Sequence, residues 1–348
     1  MTSTPIQAIA VCGPTASGKT ALGISLARQL SGEVVNVDSV QVYKGADIGS
    51  AKATLAERQG VAHHLLDVVA PDEPMNAGEY REHALGCLRD ISGRGKLPVL
   101  VGGSGMYLTI LLHGIAEVPA TPPEVRAAVA AFPRQEQYEE LRRVDPTTAE
   151  RLHVNDTQRV SRALEIFRVT GKRPSEFFDQ HKFSSRDVAA LMIVICRERD
   201  ELYERINRRS SLMLDAGLIE ETRAILSTYG KVSALETIGY KQACEYLDGK
   251  LALEHVAEEI SLHTRRFAKR QMTFLRNEPG KRGWVVRPTA DEPAREIVGF
   301  TTESKRALAE TKGFRAMELT EGELVARVHD RLRTPMERTE VWYVAVRP

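Results

Sequence analysis

Residues 13–20, GPTASGKT, fit the pattern G-x-x-x-x-G-K-[ST] at every fixed position. In this pattern the backbone N–H groups of a glycine-rich loop, and of the helix that follows, point at phosphate oxygens. Lys19 adds a point charge, and the Thr20 hydroxyl is placed to hold Mg²⁺. Gly13, Pro14, Thr15, Ala16, Ser17 and Gly18 are therefore expected, with Lys19 and Thr20, to wrap a phosphorylated ligand. A phosphate gripped there could be transferred, hydrolysed for work, or discarded as a leaving group. In motor and switch NTPases such a loop is partnered by an Asp that closes a hydrophobic strand and helps hold Mg²⁺. Here LPVLV (97–101) closes in Gly102–Gly103–Ser104 instead. That disfavours a work-producing ATPase and leaves kinases and enzymes that release pyrophosphate.

Such a loop needs a strand before it and a helix after it. IQAIAVC (6–12) reads as a short buried strand, and ALGISLARQL after the loop has helical periodicity. EVVNVDS (33–39) is a second strand, ending in Asp38 and Ser39, and LPVLVGG (97–103) a third, after a helix over 78–94. Apolar, β-branched strands alternating with helices predict an α/β fold, a P-loop parallel sheet flanked by helices. Ligands of such sheets bind at the carboxyl ends of the strands. The loop, Asp38 and the Gly102–Ser104 turn all fall at such ends, so they are expected to share one cleft.

The pattern changes near PATPPEVR (119–126), and to about 184 the chain is helical and polar. This reads as an inserted all-helical subdomain. ALMIVIC (190–196) returns to the sheet, and helical segments follow over roughly 200–228 and 251–276. After NEPGKRG, WVVRP and VWYVAV are strand-like, and TEGE (320–323) resembles a capping box opening the helix ELVARVHDRLR. The expected domains are a discontinuous core, 1–118 with 185–284, a helical insertion, 119–184, and a small C-terminal α/β appendage, 285–348, to which no role is assigned.

The formal net charge is only +1, so a nucleic-acid surface must come from local clustering. Such a cluster exists at 265–287, where Lys269 and Arg270 are among eight Lys and Arg residues against one acid, Glu278. These residues are expected to grip phosphates. Phe267 and Phe274 are seven apart, one helical face, and read as core. The four cysteines form no C-x-x-C pair, which argues against zinc and disulfides and for a reducing cytoplasm. No apolar run is long enough to span a bilayer or serve as a signal, so no membrane is expected. The adjacent His63 and His64 lack metal-ligand spacing and read as structural.

Eight segments together resemble the tRNA dimethylallyltransferase family: GPTASGKT, NVDSVQVYKGADIGSAK (36–52), HHLLDV (63–68), VGGSGMYL (101–108), NDTQRVSRALE (155–165), RINRR (205–209), IGYKQ (238–242) and RRFAKRQMTFLR (265–276). The likeness covers roughly residues 6–278 in the family's order, and agreement of several separate motifs makes it specific. It implies transfer of a dimethylallyl group from its diphosphate onto N6 of the adenosine just 3′ of the anticodon, in tRNAs reading UNN codons. The loop would then grip a diphosphate that is discarded, with Mg²⁺ as cofactor.

By this similarity Asp38 matches the general base, which takes the proton from the exocyclic amine, and Arg209 matches the arginine on the diphosphate. Asp38, Ser39, Val40 and Gln41, with Ser104, Arg126, Gln158, Arg159, Val160, Ser161 and Arg162, match residues that meet the tRNA. The insertion would clasp the anticodon stem. Ser104 stands where the family usually has Thr; the hydroxyl survives the change. The partners so implied are the tRNA anticodon stem-loop and dimethylallyl diphosphate, with no obligate protein partner and a monomeric chain. Three alternatives compete: an isopentenyltransferase acting on free AMP or ADP, a small-molecule or nucleoside kinase, and a P-loop RNA-binding module without chemistry. The insertion and the basic helix argue against the first, the motifs beyond the loop against the second, and the presence of Lys19, Thr20 and Asp38 together against the third.

Overall fold

A computed structural model of the chain describes residues 4–116, 118–181, 187–282, 285–286, 316–336 and 339–347. They fall into two compact units, Met1–Leu112 with Arg186–Pro348, and His113–Ser185.

The larger unit is built on one parallel sheet. Its strands are β1 (Ile6–Cys12), β2 (Gly32–Val37), β3 (His63–His64), β4 (Leu97–Gly102), β5 (Val188–Ile195), β6 (Val285–Val286), β7 (Ala316–Thr320) and β8 (Glu340–Arg347). The spatial order is β3-β2-β4-β1-β5-β8-β6, with β7 also pairing β8. Continuous apolar strands suit a parallel sheet because helices cover both faces. In β5 all eight residues are buried.

The helices of this unit are α1 (Lys19–Gln29), α2 (Leu55–Arg58), α3 (Ala77–Gly93) and α4 (Gly105–His113) on its N-terminal side. On one face α3 lays Tyr80, Ala84, Leu85, Leu88 and Ile91 onto the sheet, starting from a capping box of Asn76 and Glu79. On the other face Leu22, Leu26 and Ala27 of α1 pack on Ile9, Val11, Val99 and Val101.

The smaller unit holds α5 (Pro123–Ala130), α6 (Arg134–Val144), α7 (Pro146–Arg151), α8 (Thr157–Thr170) and α9 (Pro174–His181). Val129, Leu141, Ala149, Val160, Ala163 and Leu164 form its core. Asp145 is fully buried and ties two helix starts together. Its Oδ1 accepts the Thr148 N–H, and its Oδ2 accepts the Thr148 hydroxyl and the Ser175 N–H.

After β5 the larger unit continues with α10 (Arg199–Asp215), α11 (Leu218–Tyr229), α12 (Tyr240–Leu247) and α13 (Leu253–Arg282). The stretch 200–228, read as one helical segment, is thus two helices. Gly217, at φ 99°, breaks them apart in a conformation that only glycine adopts at little cost.

The described part of 285–348 is α/β, as its pattern suggests, and it is built into the main sheet. β8 lies parallel to β5, with Leu191 opposite Glu340 and Ile195 opposite Val344. Leu324 and Val328 of α14 (Glu321–Arg331), with Trp342 and Val344, share a core with Ile9, Leu191 and Ile193. The physical reason is that β5, apolar on both faces, needs a neighbour on each side.

Candidate active site

The loops after β1, β2 and β4 leave the sheet at one end. Gly13 stands at the first exit: a Cβ there would lie 2.9 Å from Ser17 Oγ and 3.1 Å from Ile195 O. Gly18, at φ 100°, opens α1, which has no side-chain cap and no acid in its first turn. Its leading N–H groups therefore remain available to an anion. The loop's carbonyls are held by cations instead. Lys19 Nζ donates to Pro14 O at 2.7 Å, Arg205 Nε to Ala16 O at 2.8 Å and Arg197 Nε to Ser17 O at 2.6 Å. Arg209 Nη2 donates to the Thr15 hydroxyl. Gln271 of α13 fixes the loop from a third side: Thr15 N–H donates to its Oε1 at 2.8 Å, and its Nε2 donates to Gly103 O at 2.9 Å.

β2 ends opposite β4, with Val37 in register with Gly102. A Cβ on Gly102 would lie 2.0 Å from Val37 O, so glycine alone permits this approach. It brings Ser104 within reach of the next turn, where Ser104 N–H donates to Val37 O at 3.2 Å. Asp38 follows immediately. Its Oδ1 accepts the N–H groups of Val40 at 2.8 Å and Gln41 at 3.3 Å. Its Oδ2 makes no hydrogen bond among the described residues. Gln41 Nε2 reaches on to Ser50 O at 3.0 Å and Ala51 O at 3.3 Å.

The loop from Thr15, Asp38, Gln41, Arg205, Arg209 and Gly102 border one cleft of about 620 Å³, whereas Gly103 and Ser104 of the same turn are not part of its lining. Lys19, Thr20, Asp38, Gln41, Arg205 and Arg209 are among its polar lining, together with Glu57, His63 and Glu321, and Ala21, Ile24, Val34, Leu66 and Val101 are in its apolar part. Burial, reinforced by the Arg209 charge and opposed by Asp38, pulls the Lys19 ammonium down to about 8. Burial also lowers Arg209, again opposed by Asp38. Two desolvated cations thus share one carboxylate, an arrangement that gains from an incoming anion. The Cys12 thiol beneath is pushed up to about 12 by burial and stays protonated.

The sequence profile described as IPP transferase matches residues 41–278. Among curated relatives, tRNA dimethylallyltransferase 1 of Pelobacter propionicus is 44% identical over 275 residues, 77% of this chain and 89% of the relative. The tRNA dimethylallyltransferase of Geobacter sulfurreducens is 42% identical over 286 residues, 80% and 92% of the two chains.

The chain belongs to the IPP transferase family.

Solved structures agree with that membership. The tRNA delta(2)-isopentenylpyrophosphate transferase of Staphylococcus epidermidis superposes with a TM-score of 0.60 at 29% identity, covering 94% of this chain and 99% of that one. A eukaryotic dimethylallyltransferase acting on tRNA gives 0.69 at 31% identity, over 77% and 69%. The protein is therefore a transferase of the prenyl class that modifies tRNA, and the kinase and free-nucleotide readings fall away.

The transferase's other expected residues divide between the two units. Ser39 is exposed, and Val40 is half-buried. Arg126, Gln158 and Arg159 are exposed in the helical unit. Ser161 Oγ donates to Gln137 Oε1 at 2.7 Å, and Arg162 pairs with Glu165 at 3.2 Å. Val160 differs from its neighbours. Its side chain is fully buried against Val129 and Leu141, because the helical stripe of α8 that faces the core passes through it. Gln158 and Arg159 before it are exposed, and Ser161 and Arg162 after it are half-buried.

Lys269 and Arg270 are exposed on α13, with the Arg270 guanidinium 5.7 Å from the Phe267 ring centroid. The buried stripe of α13 runs through Ala268, Gln271 and Leu275, one residue on from the expected Phe267 and Phe274, which are half-buried. Trp284 and Arg287 lie outside the described residues. His64 Nε2 and Glu33 Oε2 are 2.7 Å apart. His63 Nδ1 meets Val61 O at 2.9 Å, while its ring borders the cleft and its buried Nε2 has no hydrogen-bond partner among the described residues. Gln271 and Arg197 escaped sequence reasoning because their partners are backbone groups of a distant loop.

Proposed function

We propose that the transferase moves the dimethylallyl group of dimethylallyl diphosphate onto N6 of the adenosine 3′-adjacent to the anticodon, in tRNAs reading UNN codons. The observation that carries this reading is the cleft itself. An uncapped helix start, two desolvated cations and a carboxylate with one unengaged oxygen face the same space. The diphosphate sits on the loop amides, against Lys19 and Arg209. As the bond from the allylic carbon to the diphosphate oxygen breaks, its electron pair leaves with the diphosphate, where these cations stabilise it. The adenosine amine forms the new N–C bond and gives its proton to Asp38 Oδ2. General-base help of this kind is typically worth 10²- to 10⁴-fold, or about 3–5 kcal/mol. The apolar lining of Ile24, Val34 and Val101 suits the prenyl chain.

Mg²⁺ fits the residues present. Thr20 is exposed on the cleft beside the diphosphate loop and offers a hydroxyl. That matches an ion that takes one or two protein ligands and completes its shell with substrate phosphates and water. Bound there, it would neutralise charge on the departing diphosphate.

The helical unit and the basic face of α13, with Lys269 and Arg270, are assigned to the anticodon stem-loop. Asp38, Ser39, Val40, Gln41, Ser104, Arg126, Gln158, Arg159, Val160, Ser161 and Arg162 are assigned to tRNA contact, Val160 through its backbone. The target base must be turned out of its loop to reach Asp38. The protein works in the cytoplasm, where unmodified tRNA is found. The test is incubation with Mg²⁺, dimethylallyl diphosphate and unmodified tRNA reading a UNN codon, with AMP as a parallel acceptor. Digestion and mass spectrometry are expected to find N6-dimethylallyl adenosine from tRNA alone. Product on AMP alone, or on neither, overturns the reading.

A further inference from the structure

Glu221, on α11, has no place in the chemistry above, yet its carboxylate is unusually engaged. Its Oε2 accepts the N–H of Asp47 at 3.1 Å and of Ile48 at 2.9 Å. Its Oε1 accepts the N–H of Ile48 at 3.0 Å and of Gly49 at 3.1 Å, and also the Tyr240 hydroxyl at 2.5 Å. One side chain thus satisfies three successive backbone donors of a loop more than 170 residues away in sequence. Irregular backbone of this kind must find partners for its N–H groups, and here they converge on a single carboxylate. Tyr240 supports the same loop from beneath. It is 0% exposed, and a Cβ on Gly49 would lie 2.4 Å from its ring. The loop therefore rests directly on the phenol, and only glycine permits it.

The loop held in this way borders the cleft through Ser50 and Ala51. Both of their carbonyls accept from Gln41 Nε2. The Gln41 N–H in turn donates to Asp38 Oδ1. A continuous path of backbone and hydrogen bonds runs from Glu221 through Gly49, Ser50 and Gln41 to the carboxylate of Asp38. Lys52 anchors the loop's far end independently. Its buried Nζ donates to Tyr43 O at 2.9 Å and pairs with Asp47 and Asp67, each at 2.6 Å. Loss of Glu221 therefore loosens one attachment without freeing the whole segment.

The geometry points to Glu221, backed by Tyr240, as a positioning residue that sets the 46–52 loop and, through Gln41, the aim of Asp38. The inference rests on the reading of Asp38 as the base. A displacement of about 1 Å at a reacting group can cost up to 10²-fold in rate. Glu221→Gln replaces one acceptor oxygen by an NH₂ that faces backbone donors, so the loop must shift.

The experiment is a double-mutant cycle in the full chain, read by single-turnover prenyl transfer to tRNA, with inorganic diphosphate and tRNA affinities and thermal unfolding measured alongside. The expectation for Glu221→Gln is a rate loss of about tenfold or more, with both affinities nearly unchanged, because an aiming defect acts on the chemical step. In an Asp38→Ala background the same substitution is expected to cost little more, since the residue it aims is gone. A folded Glu221→Gln protein of normal rate overturns the inference, and so does a full additional loss in the Asp38→Ala background. Should Glu221→Gln fail to fold, Tyr240→Phe removes one donor to Glu221 and keeps the packing. A smaller rate loss that is again absent without Asp38 is then expected, and an unchanged rate overturns the inference. If Asp38→Ala itself retains activity, the reading of the base fails and not this inference alone.

Discussion

A carboxylate that accepts two backbone N–H groups through one oxygen keeps its other oxygen for a proton in transit. Asp38 is held in that way, through Val40 and Gln41. Asp38→Ala is predicted to lower the single-turnover rate by about a hundredfold or more with little change in tRNA affinity. A loss below about tenfold would remove it from the chemistry. Lys19 carries a second prediction at this scale. Its ammonium is pulled down to about 8 in the free enzyme, chiefly by burial. An anion binds the charged form, so diphosphate affinity should be level below that value and weaken as pH rises through it. Titration of diphosphate binding by calorimetry checks this, and Lys19→Met should bind weakly with no such decline. GPTASGKT stands out in the sequence by side-chain type and spacing, and Asp38 by its place at a strand end, while the role of base comes from the family resemblance. Arg197 and Gln271 were not, because their work is done on backbone carbonyls and amides that no local pattern announces.

At the scale of elements, strands and helices were legible wherever apolar periodicity is strong. The stripe of α3 and the uninterrupted burial of β5 follow from composition alone. What stayed hidden was how elements are fastened to one another. Glu33 is an example. It accepts both guanidinium nitrogens of Arg94, at 2.6 and 2.7 Å, and Lys96 at 2.7 Å, beside His64. This cluster ties the start of β2 to β3 and to the turn after α3. The surrounding cations, Arg94 first, hold the Glu33 carboxyl well below the usual carboxylate range. A depressed folded value gives stability that is fully present above the unfolded value of 4.5 and is lost as pH falls toward the folded one. Glu33→Gln is predicted to cost about 2 kcal/mol at neutral pH, below the 3–5 of a fully buried pair because Arg94 and Lys96 remain two-fifths or more exposed. Urea unfolding at several pH values checks it. The variant should lie below the parent at pH 7 and converge toward it in acid, with prenyl transfer unchanged. Equal urea midpoints at pH 7 would show that the cluster contributes nothing.

For the whole molecule, the division into a sheet unit and a helical unit was legible because periodicity changes at the insertion, while the union of the C-terminal stretch with the sheet was not. Nothing in VWYVAV says that it pairs with a strand some 150 residues earlier, since parallel pairing leaves no local turn as a marker. The same limit applies to charge. A net charge of +1 gives no general attraction to tRNA, so binding has to come from where the cations lie. Lys269 and Arg270 are exposed on α13, and Arg126 and Arg159 are exposed in the helical unit. If these neutralise tRNA phosphates, the logarithm of affinity should fall linearly with the logarithm of salt, by about 0.7 to 0.9 per phosphate engaged. Removing one such contact should then flatten the slope by about one unit, while a residue at the chemistry should leave the slope alone. The prediction is that Lys269→Ala and Arg159→Ala each weaken tRNA binding and each reduce the salt slope, and that Asp38→Ala does neither. Filter binding across a salt series decides it. A slope near zero in the parent protein would mean that these cations are solvated surface and that recognition rests on the base pocket, which would withdraw the tRNA role assigned to both units' basic faces.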